Sequence, residues 1–415
     1  MGDLYMDNIT CILAAEGTTE PIPILAGLRQ GCPLSGILFN LVIDPVIRAV
    51  QGGGFDHKIL AYADDLTPLA STPRRLHQRI PRIETLAASL GRSLNPSECA
   101  SFHMVGSTPV GMHTMEFSFS RIPISVLRDF EPQRYVGRLI VFRIPSGSGS
   151  VVESAVAQAR AIMSSMLAPW QRLDALRTFV YPALNFPMRC GVLSTTDWRR
   201  LDDAIRPLVK RTLYLPTNAA TNYIYGSASG GAVGIPVAAE LSDHCRIDSA
   251  FKLLTSADTE LWQMALDDAH SFATARLDWE VARAELEAYL GASLADGFWV
   301  RATQLWSVWT NARKAYRCYN VAWTLDPGGF QLTCGDATIT PQHRCRDMRT
   351  LREVLATERD RALHDLRNQG KVLASAAADR ASSHFMRTGA FTSFADWQFV
   401  HRARLNLLPL NGPCM

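Results

Sequence analysis

The chain has 415 residues, of which 47% are hydrophobic and 20% charged, with a formal net charge of +3. That length allows two or three domains, and the composition supports a sizeable core and excludes a disordered or collagen-like chain. The near balance of charge is compatible with nucleic-acid binding without arguing for it, because only clustered charge would do so.

The first 26 residues open on a short helical piece, MGDLYMDN. Two strand-like stretches follow, Thr10 to Ala14 and Thr19 to Leu25, joined by a turn at Glu16-Gly17. Pro33 opens an apolar helix over Leu34 to Val50 that stops at three glycines, Gly52 to Gly54, the positions each residue type favours. HKILAYADDLTPLA then reads as a β-hairpin with Asp64-Asp65 at its tip. A helix follows over Arg75 to Leu90, with Leu76, Ile80, Ile83, Leu86 and Ala87 on one face. Further strands are expected over Leu94 to Val105, Met115 to Ile124 and Gln133 to Phe142. PSGSGS, Pro145 to Ser150, reads as a linker.

Beyond it the pattern is helical. Val152, Val156, Ala159, Met163 and Met166 make one apolar stripe, Pro169-Trp170 breaks that helix, and a second runs from Leu173 to Val180. A third covers Trp198 to Leu213, with Leu201, Ile205, Leu208 and Thr212 inward. GSASGGAVG, Gly226 to Gly234, reads as a flexible joint, and residues 240 to 410 as mostly helical. No apolar run reaches the roughly 18–20 residues of a membrane span, and the N-terminus lacks a signal-peptide pattern. The expectation is an intracellular protein, nuclear or cytoplasmic, with no membrane partner. Nine cysteines with no CxxC pair read as reduced thiols, and Cys334, His343 and Cys345 match no zinc spacing.

Adjacent aspartates repel, and desolvation adds to the cost unless a cation relieves both. Oxygen ligands of this kind suit Mg²⁺, and two such ions about 3.5–4 Å apart serve phosphoryl transfer. A bare Asp-Asp pair is most often a solvated turn. Here Ala61-Tyr62-Ala63 and Leu66 embed it in apolar strands. GLRQGCPLS lies about thirty residues earlier and joins a glycine approach to a fresh helix N-terminus, a combination that suits phosphate. SLNPSEC follows the pair.

GLRQGCPLSGILFN, AYADDLTPLA and SLNPSEC together resemble three successive palm motifs of reverse transcriptases, closest to those of non-LTR (LINE-type) retrotransposons. APWQRLDALRTFVYPALNF, RRLDDAIRPLVKRTLYLP, SGGAVGIP and ARLNLLPLNG resemble the thumb and following region of the branch that inserts into ribosomal DNA. The resemblance implies an α+β fold: a partial palm (antiparallel sheet with helices) over 1–144, a helical thumb over 151–235, and a mostly helical region over 236–415. It implies RNA-directed DNA polymerase activity with Mg²⁺, an RNA template, a DNA primer and deoxynucleoside triphosphates. By the same resemblance Asp64 and Asp65 are the catalytic metal ligands, and Tyr62 and Ala63 form the floor by the primer end. Arg29, Gln30, Gly31 and Asn95 line the nucleotide and template side, and Tyr135 and Gly137 belong to the primer grip.

Arg199, Arg206 and Lys210 on the third helix are candidates for a nucleic-acid backbone, with a solvated amphipathic helix as the equal alternative. Trp170 reads as core rather than stacking platform, and Arg402 to Arg404 form one short basic cluster. The family's first catalytic aspartate belongs on a strand that the chain is expected to lack, since Asp3 and Asp7 fall in the opening helix. Glu98 replaces the usual lysine, Pro68 suits an edge strand or a bulge, and the chain stops before the branch's zinc motif and nuclease. A truncated polymerase, inactive alone, is therefore expected, with a non-catalytic nucleic-acid-binding remnant as the alternative.

Overall fold

The computed structural model describes residues 9–15, 17–24, 27, 31–53, 58–102, 116–128, 131–136, 138–140, 150–190, 193–277, 279–291, 307–326, 329–335, 337–378 and 380–408. The opening helix over MGDLYMDN and all but the last residue of PSGSGS lie outside them. The chain forms two compact units, Met1–Pro145 and Ser146–Met415. No helix is long and apolar enough to cross a membrane among the described residues.

In the first unit, β1 (Ile9–Thr10) pairs antiparallel with β4 (Ile22–Pro23), and β2 (Leu13–Ala14) with β3 (Gly17–Thr18). This is the ribbon expected there. Helix α1 (Ser35–Gln51) starts two residues after Pro33 and stops at Gly52, whose φ of 63° is open to glycine. β5 (Ile59–Tyr62) and β6 (Asp65–Pro68) form the acidic hairpin. Helix α2 (Pro73–Ser89) is capped by Thr72, whose hydroxyl accepts from the Arg75 N–H, and it buries Ile80, Ile83 and Ala87. β7 (Ala100–Ser101), β8 (Ser118–Phe119), β9 (Ile122–Pro123) and β10 (Ser125–Val126) follow, with β8 pairing β9 antiparallel and β7 pairing β10 in parallel. β11 (Gln133–Tyr135) and β12 (Arg138–Ile140) close the unit as a hairpin.

One expectation needs correction. The strand over Leu94 to Val105 shrinks to β7 among the described residues. Pro96 has no N–H to donate, and Asn95 accepts from the Ser97 N–H at 3.2 Å, which sets up a 3₁₀ turn over Pro96–Glu98 instead. The described strands of this unit pair as six two-stranded sheets, five antiparallel and one parallel, which with α1 and α2 agrees with the expected α+β fold.

The second unit begins with α3 (Ser150–Ser164), α4 (Pro169–Ala175), a π-helical turn over Leu176–Val180, α5 (Tyr181–Ala183) and α6 (Asn185–Cys190). α3 buries Val152, Ala155, Ala159 and Met163, whereas Met166 falls beyond its end and is fully exposed. Then come α7 (Thr195–Thr212), α8 (Asn222–Tyr225), α9 (Ala238–Leu254), α10 (Thr259–Leu277), α11 (Arg283–Leu290) and α12 (Val308–Tyr319). β13 (Val321–Asp326), β14 (Gly329–Cys334) and β15 (Ala337–Ile339) form an antiparallel sheet that the expectation of a mostly helical region left out. The alternating burial of β14 and the Pro327-Gly328 pair between β13 and β14 are the period-2 and turn signals of a hairpin. α13 (Arg344–His364), α14 (Lys371–Ala378), α15 (Phe385–Thr388) and α16 (Phe394–Arg404) complete the chain.

This unit has two cores bridged by α9. Trp198, Leu201, Ile205, Tyr223 and Ile235 meet Leu363, Phe385 and Trp397 in one. Ile247, Phe251 and Leu254 meet Tyr289, Trp309, Tyr316, Trp323 and Phe330 in the other. The last helices therefore return to the core laid down by α3 and α7. Val237 offers α9 no side-chain cap. The Asp202 carboxylate of α7 caps it across space, accepting from Ala238 N at 2.7 Å and Ala239 N at 3.1 Å.

The flexible joint expected at Gly226 to Gly234 is instead a braced loop. Asp360 accepts from the Ser227 N–H at 2.8 Å and from its hydroxyl, while Arg177 donates to the carbonyls of Val233 and Gly234, and Arg404 to that of Gly231. A Cβ on Gly226 or Gly230 would sit 2.6 Å from Asp360, so these glycines admit a close neighbour rather than supply motion. Arg404, expected in a surface basic cluster, is buried and donates also to the Ser382 carbonyl. Trp170 packs edge-on against Phe394, consistent with a core role.

Candidate active site

The hairpin register decides what the acidic pair faces. Ile59 pairs with Pro68, Leu60 with Thr67, Ala61 with Leu66 and Tyr62 with Asp65, which leaves Ala63-Asp64 as a two-residue loop. Side chains alternate across a strand, so Ile59, Ala61, Leu66 and Pro68 share one face and Leu60, Tyr62, Asp65 and Thr67 the other. The first face is the anchored one: Ile59 is buried with Ile43, Val46, Val50 and Ile83, and Leu66 packs against them. The second is open, with Tyr62 65% exposed and Asp64 and Asp65 both exposed. Asp65 thus stands beside the Tyr62 ring position on the free face, with Asp64 at the turn.

The loop is specialised. Ala63 has φ 50°, in the left-handed region where a Cβ costs about 1 kcal/mol. A two-residue hairpin loop demands positive φ at its first position, and glycine is the usual choice. Pro68 withholds a ladder donor, and β6 accordingly has no second neighbour among the described residues. The strand start is fixed as well: the Lys58 N–H and ammonium donate to the Gln51 side chain and carbonyl at 2.9 and 2.8 Å, at the end of α1.

The other site residues expected from sequence gather only in part. Gly31 has φ 83° with open space around its Cα, and α1 begins four residues later with no side-chain cap and no acid in its first turn. Arg29, Gln30 and Gly137 lie outside the described residues. Asn95 is exposed and accepts from the Ser97 hydroxyl at 2.7 Å, and its neighbour Leu94 packs on the core beneath the acidic hairpin. The Gln133 amide donates to the Glu98 carbonyl at 3.4 Å, tying the Asn95 loop to the hairpin that carries half-buried Tyr135. Burial, then the Glu98 carboxylate, pushes the Cys99 thiol up, so it is not a ready nucleophile.

Asp64 and Asp65 offer exposed, hard oxygen donors with room for water and phosphate, the donor set that suits Mg²⁺. No group of three His, Cys, Asp or Glu able to hold a metal occurs among the described residues. The carboxylates therefore fit the ion in kind and need ligands from elsewhere, such as substrate phosphates.

In the second unit, Arg199, Arg206 and Lys210 fall on one stripe of α7, at i, i+7 and i+11. Arg206 is already paired with Asp203 at 2.8 Å, and the Lys210 ammonium donates to the carbonyls of Thr217 and Ala219 at 2.7 Å each. Arg199 is exposed. Reading from sequence passed over α2, whose Arg75, Arg79 and Arg82 repeat at i, i+4 and i+7.

Residues 4–135 match the family described as reverse transcriptase (RNA-dependent DNA polymerase). The chain is also similar to Retrovirus-related Pol polyproteins of R2 retrotransposable elements. The one from Nasonia vitripennis is 30% identical over 220 residues, 51% of this chain and 21% of that protein. The one from Drosophila melanogaster is 29% identical over 223 residues, again 51% and 21%. The one from Bradysia coprophila is 28% identical over 249 residues, 57% and 28%. The chain thus spans about a fifth to a quarter of the length of these relatives.

Proposed function

Because the chain belongs by sequence to the non-LTR retrotransposon reverse transcriptases, we propose that it contributes the palm carboxylates for RNA-directed addition of deoxynucleotides to a DNA primer 3′ end. Asp64 is the main metal ligand and Asp65 its partner. Bound Mg²⁺ supplies charge neutralisation at the attacking hydroxyl and the departing pyrophosphate. The chain's own residues position the reactants. Tyr62 and Ala63 form the floor under the primer end, Arg29, Gln30, Gly31 and Asn95 line the nucleotide and template, and Tyr135 with Gly137 grips the primer. On the second unit, which we read as thumb over 151–235 and as a helical extension over 236–415, the α7 stripe follows the duplex backbone through Arg199. The partners are an RNA template, a DNA primer and deoxynucleoside triphosphates.

The observation that carries this reading is the open hairpin face. An acidic pair held at a strained tip, beside an exposed tyrosine and inside a segment of reverse-transcriptase sequence, is costly to build for a solvated turn. Primer extension on an RNA template with Mg²⁺ tests it, run in a polypeptide that also supplies a third metal ligand, because the two carboxylates of this chain alone are expected to give no extension. Asp64→Asn and Asp65→Asn should each cut extension about a thousandfold, equivalent to about 4 kcal/mol of barrier. Extension that survives Asp64→Asn sinks the assignment.

A second reading is favoured by the exposed arginines of α2 and α7: a nucleic-acid-binding protein without chemistry. It gives salt-dependent binding and no Mg²⁺-dependent extension in the same assay.

A further inference from the structure

Helix α2 lies against the anchored face of the acidic hairpin, since Ile83 and Leu86 share the core of Ile59 and Leu66. One flank of the helix, beside its buried face, carries Arg75, Arg79 and Arg82, three cations within one stripe about 10 Å long that leads to Leu86, with Arg74 outside that stripe. Arg74, Arg75 and Arg82 are exposed and Arg79 partly so. None of the four forms an ion pair among the described residues. Among the described residues the Arg75 guanidinium donates only to the Ser71 hydroxyl, at 3.1 Å. The single acid of the helix, Glu84, lies on the other flank and is taken by the Ser120 hydroxyl.

The contrast with α7 sharpens the point. There Asp197 and Asp203 pair with Arg200 and Arg206, and Lys210 is spent on carbonyl oxygens. A solvated helix face is normally mixed in sign, as α7 is. Among the described residues, α2 instead leaves an arginine stripe uncompensated, and guanidinium groups bind phosphate well. α2 packs on the face of the hairpin that carries Ile59 and Leu66, whereas Asp65 stands on its other face.

We infer that α2 is a second nucleic-acid site, in which Arg75, Arg79 and Arg82 hold the phosphate backbone of a segment other than the one at the carboxylates. The contacts carry no sequence preference. This inference rests on the reading of the chain as a nucleic-acid enzyme, but not on its chemistry.

The test is fluorescence anisotropy of the full chain with a labelled 20-base-pair DNA duplex, and in parallel with the single strand, over 50–200 mM NaCl. Replacing all three arginines (R75Q/R79Q/R82Q) should make the dependence of log affinity on log salt shallower by about 2.7 for duplex or about 2.1 for single strand, at about 0.9 or 0.7 per phosphate contact. Across that salt range the wild type should then lose about forty-fold more duplex affinity than the variant. The charge-keeping variant R75K/R79K/R82K should retain most of the slope, and circular dichroism should show both variants folded. D64N/D65N should leave the stripe's share of the slope in place, so failure of the carboxylate assignment reads out separately. An unchanged slope in the glutamine variant, or no salt-dependent binding by the wild type, overturns the inference.

Discussion

The two units use arginine in opposite ways. In the second unit the buried arginines are struts. Arg246 donates to the Leu193 carbonyl and pairs with Asp243, Arg189 and Arg344 converge on buried Asp248, and Arg404 ties α16 to the braced glycine loop. In the first unit the arginines of α2 face water, and so do Leu13, Ile37, Leu41, Leu60 and Tyr62. Buried charge needs partners to offset desolvation, so a cation inside a fold is committed to that fold. A cation or an aromatic left outside stays available to a ligand. The contrast places scaffolding in the second unit and exposed chemistry in the first.

The largest stability effect expected from this contrast is in the scaffold. Trp198→Ala, at a fully buried core position, should cost about 3–5 kcal/mol. Ile83→Ala, under the acidic hairpin, should cost about 2 kcal/mol, the low end for such truncations, because its core is small and can collapse. Hydrogen exchange followed separately in each unit checks both. Equal losses would remove the distinction.

A smaller effect comes from pH. Burial, then Arg352, pushes His244 down to about 4, and burial, then Arg404, pushes His401 down to about 3. Both are held neutral when folded, so their contribution is full above about 6.5 and is lost as acid protonates the unfolded chain. Burial raises Asp202 to about 6 against its two backbone hydrogen bonds. A raised carboxyl works the other way: its contribution is full below about 4 and is lost as pH rises through about 6. On acidification from 6.5 to 5 each histidine lowers stability by at most about 1.4 kcal/mol per pH unit, and Asp202, with Glu240 and Asp243 that burial raises in the same way, offsets part of that loss. Thermal melts should show this fall, and the double variant H244Q/H401Q should flatten or reverse it. A wild type equally stable at pH 5 and 6.5 would contradict the burial argument.

The smallest effect is expected at Arg200→Ala. Its pair with Asp197 is solvent-exposed, with the arginine side chain 74% accessible, and such pairs are worth roughly 0–1 kcal/mol. A shift in melting temperature beyond a few degrees would mean that the α7 surface is structural after all.

Much of the first unit was legible in the chain. Pro33 and Gly52 bracket α1, the apolar spacing of α2 marks its buried face, and Ala-Tyr-Ala before Asp64-Asp65 predicts a hairpin with acids at the tip. These are local signals, set by backbone conformation and side-chain period. Less legible were Gly226 to Gly234 and Arg404, because glycine reads as freedom and arginine as surface until a distant carboxylate or carbonyl is brought beside them. Asp360 is 133 residues from Ser227, and Arg404 is 173 from Gly231.

The sequence by itself determined the main helices and the acidic hairpin of the first unit, and where the carboxylates sit in the chain. Only the tertiary structure decided which charges are spent internally and which face solvent. Periodicity is a property of neighbours along the chain, whereas the environment of a charge depends on partners that folding brings in from far away.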